Sequence, residues 1–326
     1  MMHVTILIPK GQFSIVNIGG TFQILNWANE MYFNQTRKPL FQVELVGVGK
    51  PSPDADGFYT ISPQKTIDQI TRTDLIIIPA VHGNLQKVTE ENKPLMEWVV
   101  KQYNQGAELA SMCIGAFLLA SAGLLDGKKC STHWGHAQEL ADNYPNVQVV
   151  PENIVVDSGG IYTCGGAYAF TNLLVYLVEK YGGRELAVLT AKSYMIDIDR
   201  GSQSPFIIFI GQKSHKDELI LDVQNEIESG YAQSITIDSL ASKYATTRRT
   251  LERRFKKATG NSILEYLQRV RMEAAKRKLE SGNIQVNEAM YSVGYNDAKA
   301  FREVFKKYVG ITPVEYSQKY NAKRVA

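Results

Sequence analysis

Two stretches in the C-terminal third repeat one arrangement: a short apolar-striped helix, a polar break, and a helix that is apolar on one side and basic on the other. A chain with this repeat is committed to an all-α region of two helix-turn-helix units. The first reads TIDSLASKYATTRRTLERRFKKATG, with Ile237, Leu240, Ala241 and Tyr244 at helical spacing and a break at Thr246 and Thr247. Its second helix turns Leu251, Phe255 and Ala258 inward and carries Arg248, Arg249, Arg253, Arg254, Lys256 and Lys257 elsewhere. The second unit, VNEAMYSVGYNDAKAFREVFKKYVG, has a turn at Gly294, an expected cap at Asn296, Phe301 and Phe305 inside, and Lys299, Arg302, Lys306 and Lys307 outside. A short helix with one apolar stripe and many cations suits the DNA major groove, where phosphates attract the charge and base edges accept arginine hydrogen bonds.

The segment SILEYLQRVRMEAAKRKLESG joins the units and reads as one helix that places both basic helices on one face. At about 1.5 Å per residue it spans about 30 Å, close to the about 34 Å between successive major grooves on one side of B-DNA. Charge is partitioned to match. Residues 230–326 hold 19 Lys and Arg against 9 Asp and Glu, whereas the rest of the chain holds 17 against 24. The overall +3 therefore conceals a basic third attached to an acidic body, as expected when only one region meets a polyanion.

The body, residues 1–196, alternates β-rich runs (VTILIP, VELVGVG, LIIIPA, ELASM) with amphipathic stretches near 21–34, 93–104 and from Gly115 onward. VQVV, IVVDSG, IYTCGG and helices near 167–180 and 184–195 follow. This pattern predicts an α/β sandwich, flavodoxin-like, with a mostly parallel sheet covered on both faces. Residues 197–232 are expected to be a linker with a short helix; its apolar centre, PFIIFIG, is odd for free linker and is expected to pack on a domain or across a dimer. The all-α region occupies 233–326. The 326 residues, 44% hydrophobic and 21% charged, are ordinary for a globular protein. No apolar run approaches the ~20 residues that span a bilayer, and the N-terminus lacks a signal-peptide profile, so a cytoplasmic location is expected. Cys113, Cys130 and Cys164 lack paired metal spacing, so neither a metal site nor a disulfide framework is expected, and no cofactor is implied.

Within the body, ELASMCIGAFLLASAGLLDGKKCSTHW has the form of a nucleophile elbow. A strand ends at Ser111 and Met112, Cys113 takes the turn, and Ile114 and Gly115 open a helix. At a helix N-terminus the thiol pKa is expected below the usual value of about 8.5. Ligands bind at the C-terminal ends of parallel strands, so Cys113, the loop with His82, Gly83 and Asn84, and the 13–20 loop are expected to converge on one pocket. His133 is a candidate to polarise a ligand carbonyl or accept a carboxylate. Trp134 and Tyr168 are expected in the core, and Cys130 and Cys164 to be unreactive.

The motifs RTLERRFKKATG, EYLQRVRMEAAKRKLE, VGYNDAKAFREVFKK and GITPVEY closely resemble the AraC-type DNA-binding domain over residues 235–320. The likeness implies base-facing positions at Arg249, Glu252 and Arg253 in the first unit and at Lys299, Arg302 and Glu303 in the second; Arg248, Lys256 and Lys306 complete the expected interface. The body resembles the PfpI/ThiJ-type, class I glutamine-amidotransferase-like domain over residues 3–195, and AGLLDG…THW is typical of the GlxA-like branch fused to AraC-type domains. Active relatives of that domain place an acid near the elbow cysteine, and the matching position here is Asn17. An amide cannot act as a general acid, so the resemblance implies a ligand-sensing rather than catalytic body. The expected pocket is Asn17, His82, Gly83, Cys113, Ile114 and His133. Together these readings imply a transcriptional regulator that binds double-stranded DNA as a homodimer, responds to a small polar metabolite, and has RNA polymerase as a candidate partner. The alternatives are a cysteine-dependent hydrolase, hydratase or deglycase tethered to DNA, and a redox sensor oxidised at Cys113.

Overall fold

A computed structural model describes the chain except residues 50–51, 54–59, 199–200, 214, 283 and 322–326. It divides into two compact units, Met1–Gln203 and Ser204–Ala326.

In the first unit, β1 (Met2–Ile8) leads to α1 (Ile15–Thr36), β2 (Phe41–Gly47), β3 (Lys65–Thr66) and β4 (Leu75–Ile78). Then come α2 (Leu85–Glu91), α3 (Lys93–Asn104), β5 (Glu108–Met112), α4 (Ala116–Ser121) and α5 (Ala137–Asn143). The unit closes with β6 (Val155–Asp157), β7 (Ile161–Cys164), α6 (Phe170–Gly182) and α7 (Arg184–Ser193). The strands form one sheet in the order β6-β7-β5-β4-β1-β2-β3, parallel except for β6, which pairs antiparallel with β7. Side chains alternate across it. Val4, Ile6, Leu75 and Ile77 pack with α1, α6 and α7, while Leu7, Ile76 and Ile78 pack with α3 and α4. Strand order reverses between β1 and β4, which is where open α/β sheets bind ligands.

Two local expectations are corrected. The first helix begins at Ile15, capped by Ser14, so the expected 13–20 loop is mostly its first two turns. Gly19 and Gly20 weaken the helical signal, yet Gly20 has a packing reason: a Cβ there would lie 2.9 Å from Cζ of Phe170. VQVV does not join the sheet; Gln148–Val149 pairs separately with Lys129–Cys130.

The second unit contains α8 (Glu218–Gly230), α9 (Ile237–Lys243), α10 (Arg248–Thr259), α11 (Ile263–Glu280), α12 (Val286–Ser292), α13 (Ala298–Val309) and α14 (Pro313–Tyr320). Ile220, Val223 and Ile227 of α8 share a core with Leu240, Leu251, Phe255 and Tyr266, so this helix is part of the packed unit. Met272, Ala275 and Leu279 of α11 do the same for Met290, Phe301, Phe305 and Tyr316. The repeat therefore runs over four helices, α8–α11 and α11–α14, with α11 closing one and opening the other. Tyrosines at matching places bond acids on the opening helices: Tyr266 to Glu228 and Tyr316 to Glu280.

Candidate functional site

The reading helices are fixed by their caps. Thr247 caps α10, its hydroxyl accepting the Thr250 amide, and Gly260 ends the helix in the left-handed conformation. α13 lies 50 residues on, but its cap is Asp297 and not Asn296: Asp297 Oδ1 accepts the amides of Lys299 at 2.7 Å and Ala300 at 3.2 Å. The displacement has a plain cause. Five residues separate α12 from α13 and four separate α9 from α10, so the second turn is one residue longer.

Leu251, Phe255 and Thr259 of α10 and Phe301, Phe305 and Val309 of α13 are buried. Arg249, Arg253, Lys256, Lys299, Arg302, Glu303 and Lys306 are exposed and, among the described residues, make no ion pair. They leave two rows of polar side chains facing solvent. Arg248 differs, because its guanidinium already reaches Asp238 at 3.2 Å and Glu252 at 3.3 Å. Arg254 grips both oxygens of Asp217, at 2.6 and 3.0 Å.

In the first unit, β5 ends beside β4 and β7, and the chain turns at Cys113 with φ of +53°. A non-glycine residue held there costs on the order of 1–3 kcal/mol and is retained where surrounding structure imposes it. Gly115 lets the turn close, since a Cβ at that position would meet the Pro79 carbonyl oxygen at 2.6 Å. The Cys113 carbonyl accepts the Thr132 hydroxyl at 2.9 Å.

The elbow geometry is therefore as expected, but the thiol is not activated. Cys113 is 3% exposed and Ile114 6% exposed, and burial pushes the Cys113 thiol up to about 11, partly opposed by the Ile114 amide. The expectation of a lowered pKa fails because desolvation of the thiolate outweighs the single turn of oriented amides. Burial likewise raises Cys130, to about 12, and Cys164. Asn17 is buried in the first turn of α1, where its Oδ1 accepts the Ala80 amide at 3.1 Å. This bond ties α1 to the end of β4. Among the described residues, no hydrogen bond joins Asn17 to Cys113.

Val81 and His82 pair antiparallel with Gln12 and Phe13, which brings His82 and Gly83 to the rim. The His133 Nδ1 accepts the Gly135 amide at 3.1 Å, leaving Nε2 as the donor of the neutral ring. Burial, then the neighbouring His136, lowers the pKa of both His82 and His133, which favours the neutral imidazole in each. A concavity of about 590 Å³ adjoins this rim, lined by Gly83, Asn84, Gln86, Phe117, His136, Glu139, Asn143 and Tyr144. That volume suits a small metabolite. His136 and Glu139, joined at 3.0 Å, were not anticipated; their i,i+3 spacing in HAQE was the available signal. Trp134 is half-buried, whereas Tyr168, expected in the core, is 67% exposed at the turn before α6.

Residues 30–180 match the DJ-1/PfpI family and residues 240–319 match a helix-turn-helix domain. The HTH-type transcriptional regulator GbdR of Pseudomonas aeruginosa is 25% identical over 311 residues, covering 94% of this chain and 82% of its own. The HTH-type transcriptional regulator GlxA of Rhizobium meliloti is 25% identical over 209 residues, 64% of each chain. Among solved structures, an AraC family transcriptional regulator from Pseudomonas putida superposes with a TM-score of 0.51 at 18% identity, over 60% of this chain and all of its own. A DJ-1 superfamily protein from Salmonella typhimurium does so with a TM-score of 0.50 at 16% identity and the same coverage.

Proposed function

Because the chain joins a DJ-1/PfpI-type domain to an AraC-type pair of helix-turn-helix units, we propose that it is a DNA-binding transcriptional regulator whose first domain senses a small polar metabolite. The observation that carries the DNA reading is the pair of rows on α10 and α13, where Arg249, Arg253, Lys256, Lys299, Arg302 and Lys306 are exposed and, among the described residues, make no ion pair, while the apolar faces are buried. Arg249, Glu252 and Arg253 read bases in one groove and Lys299, Arg302 and Glu303 in the next; Lys256 and Lys306 hold phosphates. Arg248 joins them only by leaving Asp238 and Glu252.

The effector enters over His82, Gly83 and His133, with Asn17, Cys113 and Ile114 forming the floor of the site. Neutral imidazoles offer it hydrogen bonds rather than charge, which favours polar ligands. The domain is a sensor and not an enzyme: the Cys113 thiol is protonated at neutral pH, and Asn17 spends its acceptor on Ala80. The protein acts in the cytoplasm as a homodimer and reads paired half-sites, with RNA polymerase as its downstream contact.

Turnover assays with amidase, hydratase and deglycase substrates test the non-enzyme reading. The wild type and Cys113→Ser are expected to give equal background rates; saturable turnover lost in Cys113→Ser overturns it. Selection of duplexes from a random library by the full chain tests the DNA reading, and enrichment of a paired motif is expected.

A further inference from the structure

Of the six cations on α10, two are ion-paired among the described residues: Arg248 with Asp238 and Glu252, and Arg254 with Asp217. α13 has the same register fifty residues on, Phe305 standing where Phe255 does, and at the places of Arg248 and Arg254 it has Ala298 and Val304. Both of those pack against the core of their unit. A position that is a paired cation in one reading helix and a packed apolar residue in the other is not one where contact with DNA requires charge.

The Arg254 pair is the better built of the two. Nε donates to Oδ2 of Asp217 at 3.0 Å and Nη2 to Oδ1 at 2.6 Å, the side-by-side arrangement that fixes a guanidinium in angle as well as distance. Asp217 is itself fixed, because it caps α8: its Oδ1 also accepts the Ile220 amide at 3.3 Å, and its own amide donates to Nδ1 of His215 at 3.3 Å. The Arg254 guanidinium holds the Asp217 carboxyl below the usual carboxylate range, so the pair is fully charged at neutral pH. The inner faces of α8 and α10 meet separately, at Ile220, Val223, Leu251 and Phe255. The ion pair therefore adds a tie at the flank of α10, beside Arg253 and Lys257, which border the same concavity.

We propose that Arg254 is a positioning residue for DNA reading by the first helix-turn-helix unit: it makes no contact with DNA, and through Asp217 it sets the seating of α10 on α8 that aims Arg249 and Arg253 at their bases. This rests on the DNA reading above. In the second unit the packing of Val304 takes that place, so the aim of α10 depends on an ion pair and that of α13 does not. A reading helix that is correctly seated only part of the time binds with an affinity reduced by that fraction.

The sign of one charge change separates seating from contact. Asp217→Asn keeps a capping side chain for α8 and removes an acid beside a surface that meets phosphates. If Arg254 were a contact held in reserve, freeing it would tighten binding to every duplex and steepen the salt slope by about one. Seating predicts the reverse: the full chain binds a library-selected duplex about fivefold more weakly, the upper end for a partly exposed ion pair. Base preference relaxes in the segment that Arg253→Ala also relaxes and is unchanged in the segment read by α13. Arg254→Met is expected to give the same loss, and the double variant no more than either, because both changes break one pair. Thermal unfolding of each variant corrects for any loss of folded chain. Tighter or unchanged binding by Asp217→Asn, losses that add in the double variant, or equal relaxation in both segments overturns the positioning role. A wild type that selects no duplex overturns the DNA reading instead, and the positioning role with it.

Discussion

The two units treat their chemistry-bearing residues in opposite ways. In the first, Asn17, Cys113 and Ile114 lie under the surface, each less than a tenth exposed. In the second, Arg249, Arg253, Lys299 and Arg302 stand in solvent. The elbow sequence thus specifies a backbone turn, with Gly115 against Pro79 and Cys113 at positive φ, and leaves the reactivity of the thiol to the surrounding core. The helix-turn-helix sequence specifies surface chemistry directly, because the helical period that buries Phe255 and Phe305 must expose the cations between them.

The contrast can be broken most severely at the elbow. Gly115→Ala forces a methyl against the Pro79 carbonyl, and a loss of about 3 kcal/mol in stability is expected, the upper end of overpacking costs. Thermal unfolding checks it; an unchanged midpoint would mean the turn is not under steric control. In the second unit, Arg249→Ala or Arg253→Ala should cost about 1–3 kcal/mol at the selected site and relax base preference, read by binding across a site library. Lys256→Ala should weaken all duplexes alike and flatten the salt slope by about one. Thiol chemistry sharpens the first half of the comparison: with its pKa near 11, Cys113 should alkylate about tenfold faster per pH unit from pH 7 to 10 without levelling off. A plateau near neutral pH would reveal an activated thiolate. The smallest effect is expected at Ala245, held at φ of +47° where the second turn has Gly294. Ala245→Gly should stabilise the chain by about 0.5 kcal/mol, strain relief being partly offset by unfolded-state entropy.

How much could be read from the sequence follows the same division. Periodicity located both basic helices and their buried aromatics, and the β-rich runs located the strands of the mostly parallel sheet apart from the edge strand Lys65–Thr66, because both patterns are local. What depended on tertiary context was not legible. Gly19 and Gly20 hid the first two turns of α1, and of the two only Gly20 has a packing reason, its closeness to Phe170. The Asn296 cap was one residue early because the longer second turn has no local marker stronger than two adjacent capping residues. The thiol pKa inferred from a helix terminus had the wrong sign because only the fold reveals the burial. Gln203, in a run of polar residues, gave no sign that its amide is buried against Thr132, Asn153 and Gly166.

The most direct test of the account is a footprint of the full chain on a library-selected duplex, with the wild type and a Lys299→Ala, Arg302→Ala double variant. Two protected major-groove segments about 10–10.5 base pairs apart on one face are predicted for each chain bound, with one segment lost in the double variant. A single protected segment in the wild type, unchanged by the two substitutions, would contradict the claim that both helix-turn-helix units read DNA.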